Sequence, residues 1–200
     1  MGNARTAGVL ALQGDVPEHL GVLRRLLGSD RAILVDSPKN LEGLQALVLP
    51  GGESTTLSEL LDATDLRNPI KARARQGMSI LATCAGLILI AQRVERSPGG
   101  RDPVPMRLLD VTVRRNDYGR QPESFETPLE IDGMEGRAFE ASFIRAPRIT
   151  RTGKSVEILA RFDGAPVLVR QANVWGLTFH PELSGDDRLH RSFLRSAGLL

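Results

Sequence analysis

The chain has 200 residues, 41% hydrophobic and 25% charged, with 26 Lys+Arg against 24 Asp+Glu for a formal net charge of +2. That is the length of one domain and the composition of a globular one, so wholesale disorder is excluded and no staple is needed to hold a core. The balanced charge and an aromatic share of only 4% argue against a nucleic-acid platform, one cysteine makes neither an internal disulfide nor a cysteine metal cage, and no apolar run reaches the ~18 residues that span a bilayer.

The first fifteen residues lack the layout of a secretory signal. Gly2 and Thr6 fit the myristoylation pattern loosely, but a disordered start before the first strand accounts for them as well. The expectation is a cytoplasmic protein with no membrane partner and no nucleic-acid partner. Residues 7–12 (AGVLAL) are apolar and end at Gly14, which predicts a buried strand. Residues 17–28 predict a helix, with Pro17 in its first turn, leucines at helical spacing and Gly28 as the C-terminal cap. Strands are predicted over 31–36 and 44–50, the second stopped by Pro50, Gly51 and Gly52. Ser54 or Thr55 is the expected cap of a helix through residue 63. A helix around 69–76 leads through Gly77 to a strand over 78–83, and an apolar helix is expected over 85–94.

Strands separated by helical crossovers predict a parallel sheet with helices on both faces. After residue 105 the texture changes. Runs over 107–115, 123–131, 138–146, 155–162, 165–172 and 174–179 predict strands joined by short turns, read as antiparallel pairs added to the same sheet. A closing helix is expected over 186–198, capped near Gly185 or Asp186. The segment 97–103 (SPGGRDP) reads as a loop within one domain spanning residues 1–200.

Cys84 falls between a predicted strand and a predicted helix, where an open α/β sheet places its chemistry. Ala82 and Gly86 flank it at the spacing of a nucleophile elbow, a tight turn that lifts the nucleophile out of the sheet. The start of the next helix favours a thiolate, and the Ala85 amide points where an oxyanion would form. A lone cysteine among Ala and Leu is also an ordinary core residue. His180 closes a predicted strand, and Glu182 two residues on shares its face if the chain is extended, with Pro181 opposing a helix there. In that arrangement Glu182 orients one imidazole nitrogen while the other serves the thiol, a triad logic. A surface turn explains the same three residues. His-x-Glu also begins a zinc-deaminase signature, but the second cysteine that signature needs is missing. His19 and His190 have charged helical neighbours, and solvated or capping roles are expected for them.

The Gly51-Gly52 pair follows a strand and is no Walker loop, since no Gly-Lys-Ser/Thr follows. Gly52 can bring a second amide to an oxyanion, or simply form a strand-to-helix turn. Arg115 and Arg145 end predicted strands, and either can hold a carboxylate or sit on the surface.

Taken in order, the segments GVLALQGD, LVLPGGESTT, TCAGLILIA, RRNDYGRQ, SFIRAPRI and TFHPEL resemble the glutaminase-subunit family of pyridoxal 5′-phosphate synthases, a branch of the class I (triad) glutamine amidotransferases. The likeness runs from about Gly8 to the final helix. It implies a flavodoxin-like three-layer α/β/α fold, mostly parallel with added antiparallel strands. It implies Cys84 as nucleophile, His180 as base and acid, and Glu182 as orienter. It also implies L-glutamine contacts at Gly52, Glu53, Ser54, Arg115, Ile144 and Arg145, and a partner in the form of a (β/α)8-barrel synthase subunit. No metal or organic cofactor is required. Ala82 stands where the group commonly has Gly, and Asp117-Tyr118 stand where a small polar residue and Phe are usual. The same elbow and base would also serve a cysteine peptidase, and a non-catalytic interaction module would keep the fold with an ordinary thiol.

Overall fold

The structure is a computed structural model, described over residues 6–95, 101–115 and 124–200. Gly2, part of the 97–103 loop and the Asp117-Tyr118 departure therefore lie outside the described residues.

The first half alternates as expected: β1 (Thr6–Leu10), α1 (Val16–Leu27), β2 (Ala32–Val35), β3 (Leu44–Leu49), α2 (Ser54–Ala63), α3 (Arg67–Arg75), β4 (Ser79–Thr83) and α4 (Ala85–Ile90). β3 and β4 are buried almost throughout, the mark of strands covered on both faces. Gly28 ends α1 at φ 87°, where a side chain would be strained. The cap of α2 is Glu53, not Ser54 or Thr55. Its longer side chain reaches both free first-turn amides, accepting from Thr55 at 3.1 Å and Thr56 at 2.6 Å. The apolar helix expected over 85–94 stops at Ile90, and residues Ala91–Val94 form a strand, β5. A run that is apolar on every side fits a buried helix and a buried strand equally, so periodicity does not place that break.

The second half contains β6 (Leu109–Arg114), β7 (Ser124–Leu129), β8 (Phe139–Ile144), β9 (Arg148–Thr152), β10 (Glu157–Phe162), β11 (Ala165–Gln171), β12 (Val174–Leu177) and α5 (Arg188–Ser196). The main sheet runs β10-β11-β12-β4-β3-β1-β2, and β12 pairs parallel to β4 while β10 and β11 are antiparallel additions. The expectation that all the late strands join this sheet is corrected. β5, β6 and β9 form a separate three-stranded sheet, and β7 with β8 forms a separate hairpin. β9, polar in sequence, was not anticipated as a strand.

Alternation along the central strands separates two cores. Ile80 and Ala82 of β4 face a core shared with α2, α3, α4 and the three-stranded sheet. Leu81 faces the other core, shared with α1, α5 and the β7–β8 hairpin. This is the expected three-layer arrangement. Five of the six phenylalanines, Phe125, Phe139, Phe143, Phe162 and Phe179, join the second core through ring contacts that tie β8 to the segment after β12. The His180 amide donates to the Ser142 carbonyl at 2.8 Å, completing that tie. No helix among the described residues is long and apolar enough to cross a membrane.

Candidate active site

Four loops leaving the C-terminal ends of β1, β3, β4 and β12 converge on one rim, the place where an open α/β sheet binds ligands. They enclose a cavity of about 350 Å³. Cys84, Ala85, His180, Gly52, Glu53, Ser54, Arg115, Ile144 and Arg145 all line it. Glu182 stands behind His180, its side chain fully buried. Every site residue named from the sequence is therefore brought to one place. A second cavity of about 310 Å³ lies against α5, between Trp175 and the arginines 188, 191 and 195, and holds none of those residues.

Cys84 takes φ 47° and ψ −105°, a conformation that costs a non-glycine residue on the order of 1–3 kcal/mol. The surroundings enforce it. The Cys84 amide donates to Leu177 O at 2.9 Å, fixing the turn to β12. Gly86 lies so close to the Leu49 carbonyl that a Cβ would overlap it. Ala82 is fully buried in β4 between Leu49 of β3 and Gly176 of β12. The thiol is 8% exposed and points its hydrogen toward Ile144 O at 3.8 Å. Arg145, the next residue, is also strained, at φ 42°.

His180 Nδ1 lies 2.8 Å from Glu182 Oε1 and 3.2 Å from Asp15 Oδ2. Its Nε2 is buried with no hydrogen-bond partner among the described residues, which leaves that edge of the ring for the sulfur. Burial disfavours the charged imidazole, but Asp15, the Cys84 sulfur and Glu182 together outweigh it, and the pKa is pushed up to about 12. For Glu182, burial dominates and pushes the carboxyl above its ordinary range, against the pull of His180. The contact between 180 and 182 does not need the extended chain expected around Pro181. A short 3-10 turn over Pro181–Leu183 carries Glu182 back beneath the ring.

Asp15 was missed from the sequence. It ends the Leu12-Gln13-Gly14-Asp15 loop at the start of α1, where a helix-capping role would explain it, but its side chain caps nothing. Gly14, at φ 100°, lets this loop pack against the Gly51 carbonyl. Gly51 in turn fits between Asp15 and His180 only because it has no Cβ. Gln13 Oε1 accepts from the Glu53 amide at 2.9 Å, locking the two loops together. Glu53 is partly desolvated, yet its two amide hydrogen bonds hold the carboxylate below its ordinary range. Arg115 sits above it, 3.5 Å from Glu53 Oε1 and 3.4 Å from Thr55 Oγ1.

The roles expected for His19 and His190 are corrected: both are fully buried. His19 shares the inner face of α1 with Val22 and Leu23, and His190 that of α5 with Phe193 and Leu194. The spacing to apolar residues three and four positions on was the available signal. Asp15, His180 and Glu182 could each offer one ligand atom to a metal. However, a metal would sit about 2 Å from the imidazole nitrogen, and here both carboxylates stand at hydrogen-bonding distance from that nitrogen.

Known proteins resemble this chain in sequence and in fold. Residues 9–198 match the model of the SNO glutamine amidotransferase family. The chain is 48% identical over 187 residues to the pyridoxal 5′-phosphate synthase subunit PdxT of Thermotoga sp. (strain RQ2), covering 94% of this chain and 96% of that one. It is 50% identical over 192 residues to PdxT of Thermoplasma acidophilum, covering 94% and 90%. A crystal structure described as a glutamine amidotransferase superposes with a TM-score of 0.88 at 45% identity, over 96% of this chain and 99% of that one. Another glutamine amidotransferase, from Thermotoga maritima, shares the fold, with a TM-score of 0.61 at 14% identity over 100% of this chain and 95% of that one. On fold, rim and sequence together, the chain belongs to the SNO glutamine amidotransferase family.

Proposed function

We propose that the protein hydrolyses L-glutamine to glutamate and ammonia with Cys84, His180 and Glu182, and that residues 1–200 act as one glutaminase unit. The Cys84 sulfur attacks the side-chain amide carbon, and the carbonyl oxygen becomes an oxyanion facing the Gly52 and Ala85 amides. The Ala85 amide belongs to the first turn of α4, where the helix itself supplies no acceptor. His180 passes a proton to the departing nitrogen, leaving a thioester. It then takes a proton from water, which attacks the thioester and releases glutamate with the thiol restored. Glu53, Ser54, Arg115, Ile144 and Arg145 line the cavity where the α-amino and α-carboxylate groups of glutamine would be held.

The observation that carries this reading is the strained thiol at the cavity, beside an imidazole whose far nitrogen is 2.8 Å from a buried carboxylate. The PdxT relatives are named as subunits of a pyridoxal 5′-phosphate synthase. The ammonia is accordingly proposed to pass to a partner (β/α)8-barrel synthase subunit, which keeps it from being protonated in water. The test is glutamate release from glutamine, with and without that subunit. Release is expected to rise with the partner and to vanish in Cys84→Ala. Glutamate formed by that variant in the complex would overturn the assignment.

A further inference from the structure

Glu182 orients His180 through Oε1, which leaves Oε2 to be accounted for. Oε2 is buried and has no well-aligned hydrogen-bond donor among the described residues. The group facing it is His19 Nε2, at 3.2 Å. The same nitrogen lies 3.2 Å from Thr83 Oγ1, the residue before the nucleophile. The other ring nitrogen of His19, Nδ1, is 3.1 Å from His190 Nε2. All three histidines of the chain thus stand in one file behind Cys84, with Glu182 between the first and the second.

Proton placement in this file is constrained. If His19 carried its proton on Nδ1, a bare Nε2 lone pair would face the Glu182 carboxylate. His190 would then accept at Nε2 and carry its own proton on Nδ1, which is buried without a partner. A buried, unmatched N–H bears the full cost of its lost hydration. The opposite assignment gives both ring protons an acceptor: His190 Nε2–H donates to His19 Nδ1, and His19 Nε2–H donates to Thr83 Oγ1 with Glu182 Oε2 beside it at 3.2 Å. Only the His190 Nδ1 lone pair is then left over.

We propose that His19 is a positioning residue for the glutaminase reaction, presenting its Nε2 proton to Glu182 Oε2 so that the buried carboxylate stays ionised and aimed at His180, with His190 fixing that tautomer from behind. The inference rests on the glutaminase reading above. Burial first, then His190 and His180, lower the His19 pKa well below 6.5, so it acts as a neutral donor and not as a counter-ion. Burial likewise lowers His190 to about 4, with Asp187 and Arg25 acting on it in opposite directions. The groups facing Glu182 are His180, Asp15 and His19. Without His19, desolvation of Glu182 would go unopposed on one side, and the carboxyl would protonate at a higher pH.

The test follows glutaminase kcat and KM against pH, using the full chain in complex with its synthase partner. His19→Met removes the donor while keeping the volume, and His19→Gln restores an N–H near the position of Nε2. The expected result for His19→Met is a kcat lower by on the order of tenfold. Its acid limb should move toward higher pH with little change in KM, and His19→Gln should return most of both. A purely structural role would lower stability and leave the pH profile of the folded enzyme in place, so wild-type profiles in both variants overturn the proposal while the glutaminase reading stands. A wild-type complex that releases no glutamate sinks both. Should His19→Met not fold, two-bond ¹H–¹⁵N correlations on the wild-type chain decide. Protons on Nε2 of His19 and His190 are expected, and an Nδ1–H tautomer or an imidazolium at His19 overturns the idea.

Discussion

His180 and the His19–His190 pair belong to one file of contacts, yet they end in opposite charge states. His180 is almost buried and is pushed toward the imidazolium. His19 and His190 are fully buried and are pushed toward neutrality. Burial acts in the same direction on all three, so burial does not separate them. The partners do. His180 is flanked by Asp15, Glu182 and the Cys84 sulfur. Its inner relatives meet chiefly each other and a hydroxyl, with Glu182 reaching only the nearer of them. The rim is where charge is created and moved, while the interior behind it holds a carboxylate in place without adding a second cation.

The sharpest way to break this contrast is to remove the charge that separates the two regions. Glu182→Gln keeps the shape and the hydrogen-bonding reach but replaces the anion with a neutral amide that can present N–H to Nδ1. His180 then loses both its orientation and part of its preference for the proton. A loss of about 10⁴-fold in kcat is expected for the complex, on the scale seen when a triad carboxylate becomes an amide. Binding of glutamine should be largely kept. A variant within about tenfold of wild type would place the orienting role on Asp15 instead.

The interior can be probed through stability. In the folded state the His190 pKa is lowered from 6.5 to about 4. Between those values the unfolded chain binds a proton that the native chain refuses. The contribution is therefore fully present above about pH 6.5 and is lost as pH falls toward about 4, to a total of about 3 kcal/mol. His180, with its raised pKa, contributes in the opposite sense: its share is present below about pH 6.5 and fades as pH rises. Glu182, also raised, offsets part of the acid loss. The comparison is thus wild type against His190→Phe by urea unfolding at neutral pH and near pH 4. Wild type should lose about 3 kcal/mol more than the variant over that interval, and equal losses would mean that His190 is not held neutral.

What was legible in the sequence follows the same division. The rim could be read because its chemistry needs particular residue types at strand ends: Cys84 between small residues, His180 and Glu182 flanking a proline, and Gly52 after an apolar run. The order of β1 to β4 followed from apolar runs broken by glycine and proline. The interior was harder. His19 sits beside Glu18 and His190 beside Arg191 in the chain, so these neighbours suggested a solvated face, whereas the apolar residues three and four positions on gave their true direction. Asp15 went unnoticed because an aspartate just before a helix is an ordinary capping residue type and carries no signal of its own. The separate small sheets escaped notice because strand pairing is a long-range property. β6 pairs with β5 and β9 across stretches of chain that no local pattern links.

The mildest perturbation bears on Asp15, whose side chain is about one-third exposed and reaches His180 Nδ1 at 3.2 Å. Among the groups that favour the imidazolium, Asp15 stands ahead of Cys84 and Glu182. Its exposure, however, means that water already screens much of its field, and its oxygen is farther from Nδ1 than that of Glu182. Asp15→Asn should therefore leave the triad assembled and lower kcat by no more than about tenfold. The sign of the pH effect is fixed: with one anion fewer beside the ring, the imidazolium gives up its proton at lower pH. The alkaline limb of the activity profile should then move down, and the acid limb, governed by the buried carboxylate, should follow by less, because Asp15 is the smallest of the influences that set the Glu182 carboxyl. If instead the acid limb moved as far as the alkaline one, Asp15 and Glu182 would be sharing one role, and the division between a rim that carries charge and an interior that steadies it would not hold.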